Sequence, residues 1–500
     1  MPVEPSFTYV DLFAGIGGFA AALEGMGGRC VYSVEIDADA AAVYERNWGH
    51  SPLGDITQDA NDDHVNVPEH DVLAAGFPCQ PFSKSGAQRG MDEARGTLFW
   101  NIARIVERRR PRVVILENVR NIAGPRHRHE WEVIIATLRE LGYRVSDDPA
   151  VFSPHLLPLE MGGRPHNRER VFITATYDPH ALGEEDGPAR PAVSNVSLRE
   201  KGEDWDIADD LPLDVALVDD QLALTSDERA WIGAWDDFVQ MMREAMRQRE
   251  GVTARLPGFP IWVDSWVREE LLDDPTSSAF VGPGTPRWKE NFLRKNAALY
   301  TRYQDVLDAW IERSGVRGFP PSRRKFEWQA QETATLWQCV MQMRPSGIRA
   351  KRPTHLPALV AITQTSVIGS LERRLSPREA ARLQGFPDSF RFDTARAGEQ
   401  HHREQRRSLT YKQLGNGVNV GVVWHVLKAH VERDAYLMLK KDKDGAFVDP
   451  RAAAVYAAVE NAPKTPDDVL DRVVAEGQKR YEVYRERGQR LDRWLRPTDI

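Results

Sequence analysis

Thr8-Tyr9-Val10-Asp11-Leu12-Phe13-Ala14-Gly15-Ile16-Gly17-Gly18-Phe19 reads as a strand, a glycine turn and the start of a helix. Ala20, Ala21, Ala22 and Leu23 continue the helix to a glycine-rich stop at Gly25 to Gly28. A second strand, Cys30-Val31-Tyr32-Ser33-Val34, ends in Glu35, and a helix follows from about Ala38 to Trp48. This alternation predicts a parallel sheet with right-handed crossovers. The glycines let the backbone approach a ligand, and the helix amino terminus offers unpaired N–H groups. An acid about twenty residues on, at the end of the next strand, suits ribose hydroxyls, and Glu35 fills that place. Ala20 stands where the dinucleotide pattern has its last glycine, so the turn reads either as a nucleoside site or as a tight structural turn. Gly54-Asp55-Ile56 adds a second acid, either an acceptor for an adenine amino group or part of a surface turn.

Further along, Asp71-Val72-Leu73-Ala74-Ala75 reads as a buried strand that runs into Gly76-Phe77-Pro78-Cys79-Gln80-Pro81-Phe82-Ser83. That puts Cys79 at the carboxyl end of a sheet, where α/β proteins bind ligands. Pro78 stiffens the turn that presents the thiol. Cys79 is then either a nucleophile or a small buried hydrophobe. Pro111 to Val119 forms another strand, with Glu117 at the same rim as a candidate proton donor or a surface cap. Arg168 and Arg170 precede a strand, Val171 to Ala175, and share one face if their segment is extended.

The chain has 500 residues, 41% of them hydrophobic, enough for two or three domains. No apolar run has membrane-spanning length and no signal segment is read at the N-terminus, so a cytoplasmic protein is expected. Its three cysteines, Cys30, Cys79 and Cys339, are too few for a disulfide framework. No metal-ligand cluster is found, and no metal is expected. The net charge of −8 does not announce a nucleic-acid binder. Basic clusters at 108–110, 323–325, 349–352 and 403–407 still permit a phosphate-binding surface.

Between about 178 and 370 the alternating rhythm is lost. Ser226 reads as an N-cap, and Trp231, Trp235, Phe238 and Met242 follow at helical spacing as a core stripe. Residues 353–370 have strand character. A helix opens around Arg373 to Glu379, and Gln413 to Val418 leads into an apolar helix from Val420 to Ala429. The tail beyond about 432 is polar and helical in pattern.

Asp11 to Phe19, Gly76 to Ser83, Glu117-Asn118-Val119, Arg168-Glu169-Arg170, Arg382-Leu383-Gln384-Gly385-Phe386-Pro387 and Gly415-Asn416-Gly417 together resemble, in order, the motif set of the DNA cytosine-5 methyltransferases, of bacterial restriction-modification type. Two positions depart from it: His166 stands where the family usually has Gln, and Gly417 where it often has Ser. The resemblance implies an α/β fold. A Rossmann-like S-adenosylmethionine-dependent domain, with a mostly parallel sheet and helices on both faces, would be joined to a smaller mixed α/β target-recognition domain. The expected limits are 1–178 completed by 405–435 for the first, 179–404 for the second, and 436–500 for a charged, mostly helical extension.

By the same resemblance Phe13, Ala14, Gly15, Gly17, Gly18, Glu35, Ile36, Asp55, Ile56, Pro78, Leu98, Asn416 and Val418 would bind S-adenosyl-L-methionine. Cys79 would be the nucleophile and Glu117 the acid on the pyrimidine, with Arg168 and Arg170 bracing the Cys79 loop and the base. The loop from Ser83 to Arg95 would close over a flipped base, with Gln80, Ser83, Ser85 and Arg95 touching DNA. Base reading is placed between about Lys325 and Thr365, where Arg344, Arg349 and Arg352 lie near Gln329, Gln331 and Gln342. Phosphate contact is the alternative for each arginine.

The implied activity is methyl transfer to C5 of cytosine in a specific double-stranded DNA sequence, giving S-adenosyl-L-homocysteine. The enzyme is expected to be a monomer, associated with the nucleoid when bound to DNA, either of restriction-modification type with a cognate endonuclease acting separately or of orphan type without one. An RNA cytosine-5 methyltransferase and a catalytically silent DNA-binding regulator are the alternatives. A nicotinamide-dependent oxidoreductase, suggested by the glycine turn alone, is disfavoured by Ala20 and by the Cys79 motif.

Overall fold

A computed structural model describes residues 6–78, 97–178, 189–251, 255–359, 365–394 and 402–487. Cys79, Gln80, Ser83, Ser85 and Arg95 lie outside these residues, as does the segment 360–364.

The chain divides into two compact units. The larger holds the described residues of Met1–Asp204, Pro357–Ile362 and Ala380–Ile500. It opens with β1 (Phe7–Leu12), α1 (Gly18–Gly25), β2 (Gly28–Val34), α2 (Ala38–Trp48), α3 (Ile56–Asp59), β3 (Val72–Gly76), α4 (Leu98–Arg109) and β4 (Val113–Val119). Then come α5 (Arg128–Glu140), β5 (Tyr143–Val145), β6 (Ala150–Phe152) and β7 (Arg170–Tyr177). The strand order is β2-β1-β3-β4-β7-β5, with β6 also paired to β7. β1 to β4 pair in parallel, as the alternation predicts, while β7 is antiparallel to β4, β5 and β6.

Side chains alternate across the strands. Val10, Leu12, Leu73, Ala75, Val114 and Leu116 face a core completed by Phe99, Ile102 and Ile105 of α4 and by Ile134 and Leu138 of α5. On the other side α1 packs on β1, and Tyr9 donates to Glu24 of α1. The helix starts follow capping chemistry. Asp37 accepts from the N–H groups of Asp39 and Ala40, and α2 stops at Gly49, which is left-handed at φ +84°. Thr97 caps α4.

The same unit is completed from the far end of the chain by α8 (Pro377–Leu383, from Ala380 on), α9 (Arg407–Asn416), α10 (Val420–Arg433), α11 (Pro450–Asn461) and α12 (Asp467–Glu486). These limits differ from the expected ones. The 189–204 stretch stays with the sheet through the Ser146–Ala189 bridge and the Leu198–Leu156 backbone bond. Residues from 380 onward belong here because Arg164 donates to Arg382 O, and Asn47 exchanges bonds with Arg391. The tail is no separate extension, since α12 packs on α1 and α2, and α11 on β1 and α10.

The smaller unit comprises the described residues of Trp205–Leu356 and Thr363–Glu379. Two long helices, α6 (Ser226–Glu250) and α7 (Arg287–Ser314), accompany a sheet of β8 (Ile261–Trp262), β9 (Lys325–Gln329), β10 (Val340–Arg344), β11 (Gly347–Lys351), β12 (Val367–Ile368) and β13 (Arg373–Arg374). The strand order is β13-β12-β10-β11-β9-β8. The aromatic stripe is core: Trp235 stacks on Phe326 at 4.7 Å, and Phe238 and Met242 are fully buried. The cap of α6 is Thr225 rather than Ser226, because Thr225 and Glu228 form a reciprocal capping box. Strand character in 353–370 is confined, among the described residues, to Leu356–Pro357 and Val367–Ile368. Among the described residues no helix is long and apolar enough to cross a membrane.

Two histidines in the larger unit, His70 and His430, are buried, and His425 is half-buried. Burial holds His70, His425 and His430 down to about 4. His430 bonds Thr176 inside a network closed by Asp434. Unfolding returns each to about 6.5, so the unfolded chain binds more protons between these values. The stabilisation is complete above pH 6.5 and is lost as pH falls toward 4, at up to about 3 kcal/mol for a group such as His430. Urea unfolding should show stability falling from pH 6.5 to 4.5, with a shallower fall in His430→Asn. An unchanged slope in that variant would remove His430 from the effect.

Candidate active site

The glycine turn is held open. Phe13, Gly15 and Gly17 all have positive φ, at +57°, +55° and +94°. A non-glycine residue in that region is strained, and such strain collects at functional sites. A β-carbon on Gly15 would meet nothing within 4 Å, whereas one on Gly17 would overlap the Trp48 indole and one on Gly18 would overlap Val418 O. Gly17 caps α1 without a side-chain hydrogen bond, so the first N–H groups of the helix face the turn.

Glu35 lies across this turn and accepts from Gly15 N at 2.8 Å and Asp37 N at 2.7 Å. A carboxylate has about four acceptor positions, so two such bonds leave capacity for a ribose diol. Burial raises its carboxyl, opposed by those backbone donors. Ile36 beside it is 73% exposed, a bare apolar surface suited to one face of an adenine ring. The open space at Gly15, the spare acceptor capacity of Glu35 and the exposed Ile36 therefore fit an adenosine-containing group. Ala14 and Val418 are buried and Asn416 is exposed at the end of α9. Lys412 Nζ, on the same helix, pairs with Asp37 at 3.0 Å. Leu98 begins α4 and Pro78 is exposed.

Asp55 has a local duty as well. Its Oδ1 accepts from the backbone and the hydroxyl of Thr57, capping α3, and Ile56 is buried.

Glu117 stands near the carboxyl end of β4, in register with Gly76 of β3. It is 8% exposed and its Oε1 receives Arg170 Nε at 3.0 Å. Burial raises its carboxyl, and the charges of Arg170 and Arg168 only partly oppose this. Asn118 Nδ2 donates to Phe77 O at 2.9 Å and so ties β4 to the segment leading toward Cys79. No role was assigned to Asn118 from sequence, although it sits inside the Glu-Asn-Val motif.

Arg168 departs from its expected place. Its electrostatic influence reaches Glu117, but its Nη2 donates to Gly415 O and Gly417 O, each at 2.7 Å. Nη1 donates to Leu359 O. It braces the returning turn between α9 and α10, so its observed donors serve position rather than a base. Gln384 Nε2 adds bonds to Leu414 O and Gly417 O. The sequence motif contained Gln384 but gave no sign of this partner.

The described cysteines are unsuited to nucleophilic work. Cys30 and Cys339 are buried, and burial pushes both thiols up, Cys339 to about 12.

The arginines proposed to read bases lie on or next to β10 and β11, in the smaller unit, and Arg344 and Arg349 share one carboxylate. Arg344 Nη2 and Arg349 Nε both contact Glu327 Oε2, at 2.6 and 2.9 Å. Glu327, Arg349 and Gln342 are register partners across β9, β11 and β10, so they form one row on the sheet. Arg352 follows β11 and is half-buried.

Comparison with known proteins agrees with this geometry. The chain matches the C-5 cytosine-specific DNA methylase family over residues 7–432. It is 49% identical to the Type II methyltransferase M.AluI of Cellulosimicrobium cellulans, over 86% of this chain and 93% of that protein. It is 42% identical to the Type II methyltransferase M.HpaII of Haemophilus parainfluenzae, over 86% and 91%. A crystal structure of a DNMT2 mutant from Spodoptera frugiperda aligns over 85% of this chain and 99% of that one, at 16% identity and a TM-score of 0.41. A family match spanning most of the chain, with two relatives above 40% identity over nearly their whole length, leaves one conclusion: the protein belongs to the C-5 cytosine-specific DNA methylases.

Proposed function

We propose that the protein methylates C5 of a flipped-out cytosine in a specific double-stranded DNA sequence, with Cys79 as nucleophile and Glu117 as proton donor. The observation that carries this assignment is Glu117: a buried carboxyl, raised by desolvation and gripped by Arg170, in register with the strand that leads to Cys79.

Glu35, Ile36 and the Phe13–Gly18 turn would hold S-adenosyl-L-methionine, with Asn416 and Val418 closing it from α9 and the turn that follows. When bound, this group supplies an electrophilic methyl on a sulfonium. Cytosine C5 is a weak nucleophile toward such a methyl. Addition of the Cys79 thiolate to C6 makes C5 enamine-like. Glu117 delivers or shares a proton at ring N3 and so neutralises charge that would build on the ring. Arg170 fixes the Glu117 carboxyl and can donate to the O2 side. C5 would take the methyl carbon as its bond to sulfur breaks, leaving S-adenosyl-L-homocysteine. The C5 proton then passes to water, the C5–C6 double bond re-forms as Cys79 leaves as thiolate, and the N3 proton returns to Glu117, giving 5-methylcytosine. No step of this chemistry calls for a metal. The base must leave the helix first, at a few kcal/mol.

The relatives named as Type II methyltransferases support a restriction-modification role, and with it we propose a separate cognate endonuclease and a monomeric enzyme acting in the cytoplasm. The row Glu327–Arg349–Gln342 is the proposed base-reading surface, flanked by Arg344 and Arg352.

Cys79→Ser should abolish methyl transfer while S-adenosyl-L-homocysteine still binds, because a serine alkoxide is far harder to form. Methylation at the normal rate would remove Cys79 from the mechanism. Bisulfite sequencing of plasmid DNA after expression gives the product and its sequence context together. Glu117→Gln should lower kcat by roughly 10²–10⁴-fold. In the native enzyme the rate should fall as pH rises and Glu117 loses its proton, and the Gln variant should lack that alkaline limb. A limb retained in full would assign it to another group.

A base-reading arginine and a phosphate-binding one separate cleanly. Arg344→Ala, Arg349→Ala and Arg352→Ala are each assayed on matched and single-substituted sites. Relaxed selectivity at one position, by roughly 1–3 kcal/mol, marks a reader, and uniform weakening with a flatter salt dependence marks a phosphate contact. Uniform loss in all three would move base reading off this sheet.

A further inference from the structure

We propose that the C-terminal helix α12 sets the affinity for the methyl donor by positioning Trp48 and, through it, the Gly15–Gly17 turn. The proposal rests on the reading of that turn as the donor site.

The first observation is how closely α12 meets the end of α2. A β-carbon on Gly477 would overlap the carbonyl of Asn47 and lie 2.9 Å from the Trp48 backbone. One on Gly49 would lie 2.6 Å from Arg480 Cβ. The two backbones touch, as only glycines allow. Polar contacts then lock the register. Gln478 Nε2 donates to Asn47 Oδ1 at 3.0 Å, and Arg46 Nη1 meets Glu482 at 2.8 Å. At its start α12 is pinned again, by Asp467 to Arg164 at 2.6 Å.

The second observation is Arg480, whose Nη2 donates both to Trp48 O at 3.2 Å and to Glu24 Oε2 at 3.1 Å. Glu24 lies on α1, the helix that begins at the turn, and Trp48 ends α2. One guanidinium thus spans the two helices that flank the donor site. Glu24 is largely buried, and its other oxygen receives the hydroxyl of Tyr9.

The third observation connects Trp48 to the turn itself. Trp48 is fully buried, and its Nε1 donates to Ile16 O at 3.1 Å. Its indole occupies the space a side chain at Gly17 would need. Ile16 sits between the two left-handed glycines, so the indole fixes the height of the turn. The line of contact runs from Gly477 and Arg480 to Trp48, and from Trp48 to Ile16. None of these tail side chains is placed to touch the donor, so Trp48 and Arg480 are positioning residues.

The test compares Arg480→Ala, Arg480→Lys and Trp48→Phe in the full-length enzyme. S-adenosyl-L-homocysteine affinity is read by titration calorimetry, beside kcat, the KM for DNA and the unfolding midpoint. Loss of one such buried bond should weaken product binding by roughly tenfold in Arg480→Ala and Trp48→Phe, with kcat at saturating donor and the KM for DNA held within about twofold. Arg480→Lys should recover part of the affinity. Asp471→Asn, which alters the Ser389 contact of the same helix, should leave it unchanged. A lowered midpoint with native product affinity would reduce α12 to a stabilising element and overturn the proposal. Glu35→Ala separates the two levels. If it too binds product normally, the donor site itself is misassigned. If it loses binding while the Arg480 and Trp48 variants do not, only the role of α12 falls.

Discussion

The buried guanidinium of Arg168 is the constraint on which the larger unit depends. Its residue is 2% exposed, and burial lowers its ionisation to about 9, so water offers it little. An unpaired buried charge is among the costliest features a fold can carry. Here the charge is met by the carbonyls of Gly415 and Gly417, residues almost 250 positions away, and by Leu359 O. A discontinuous domain needs some reason for its last segment to return to its first, and this is one. The planar fork of arginine can donate to two carbonyls from a single nitrogen while another reaches a third, which a lysine ammonium could not reproduce in the same geometry. Gln384 donates to the same turn, so the Gly415–Gly417 carbonyls are held from two sides.

That commitment shapes the electrostatics of the rim. Two direct arginine bonds to one carboxylate would hold it firmly ionised. With Arg168 turned to the carbonyls, Glu117 has Arg170 as its direct partner among the described residues and feels Arg168 at a distance. Desolvation then outweighs the two positive charges, and the carboxyl rises. The proton-donor role proposed for Glu117 would need that balance, with Arg170 supplying orientation. The structural bond and the chemical one are therefore divided between two arginines that are neighbours on one face in sequence.

The sequence was most legible where local rules decide the outcome. β1 to β4 are short apolar runs ended by glycine or acid, and α2 begins and ends where Asp37 and Gly49 make it, so periodicity and capping were enough. Thr225 against Ser226 shows the limit of that rule, since either hydroxyl qualifies and only the reach of Glu228 back to Thr225 decides. Partners set by tertiary register were not visible. Arg344 and Arg349 read as base or phosphate contacts, yet Glu327 meets both: Arg349 is its register partner across β9 and β11, and Arg344 reaches it from the end of β10. Asp55 is described as the cap of a short helix. The tail was hardest to read. Its fit to α2 rests on Gly477 and Arg480, two residues that carry no periodic signal.

The glycine turn between β1 and α1 shows why several small contacts converge on one short stretch. Phe13 in a left-handed conformation costs about 1–2 kcal/mol, and glycine order adds to it. Against that stand four bonds: Ala14 N to Val34 O, Gly17 N to Ala14 O, Gly15 N to Glu35, and Trp48 Nε1 to Ile16 O. At about 0.5–1.5 kcal/mol net each, they sum to roughly 2–6 kcal/mol. The bonds offset the strain, and exceed it only toward the upper figure, which lets the turn hold its open form before any ligand arrives. A site formed in advance spends less of its binding energy on ordering the chain. The margin is narrow, however, and the Trp48 bond is one of only four. The helix that meets Trp48 therefore contacts a turn with little stability to spare.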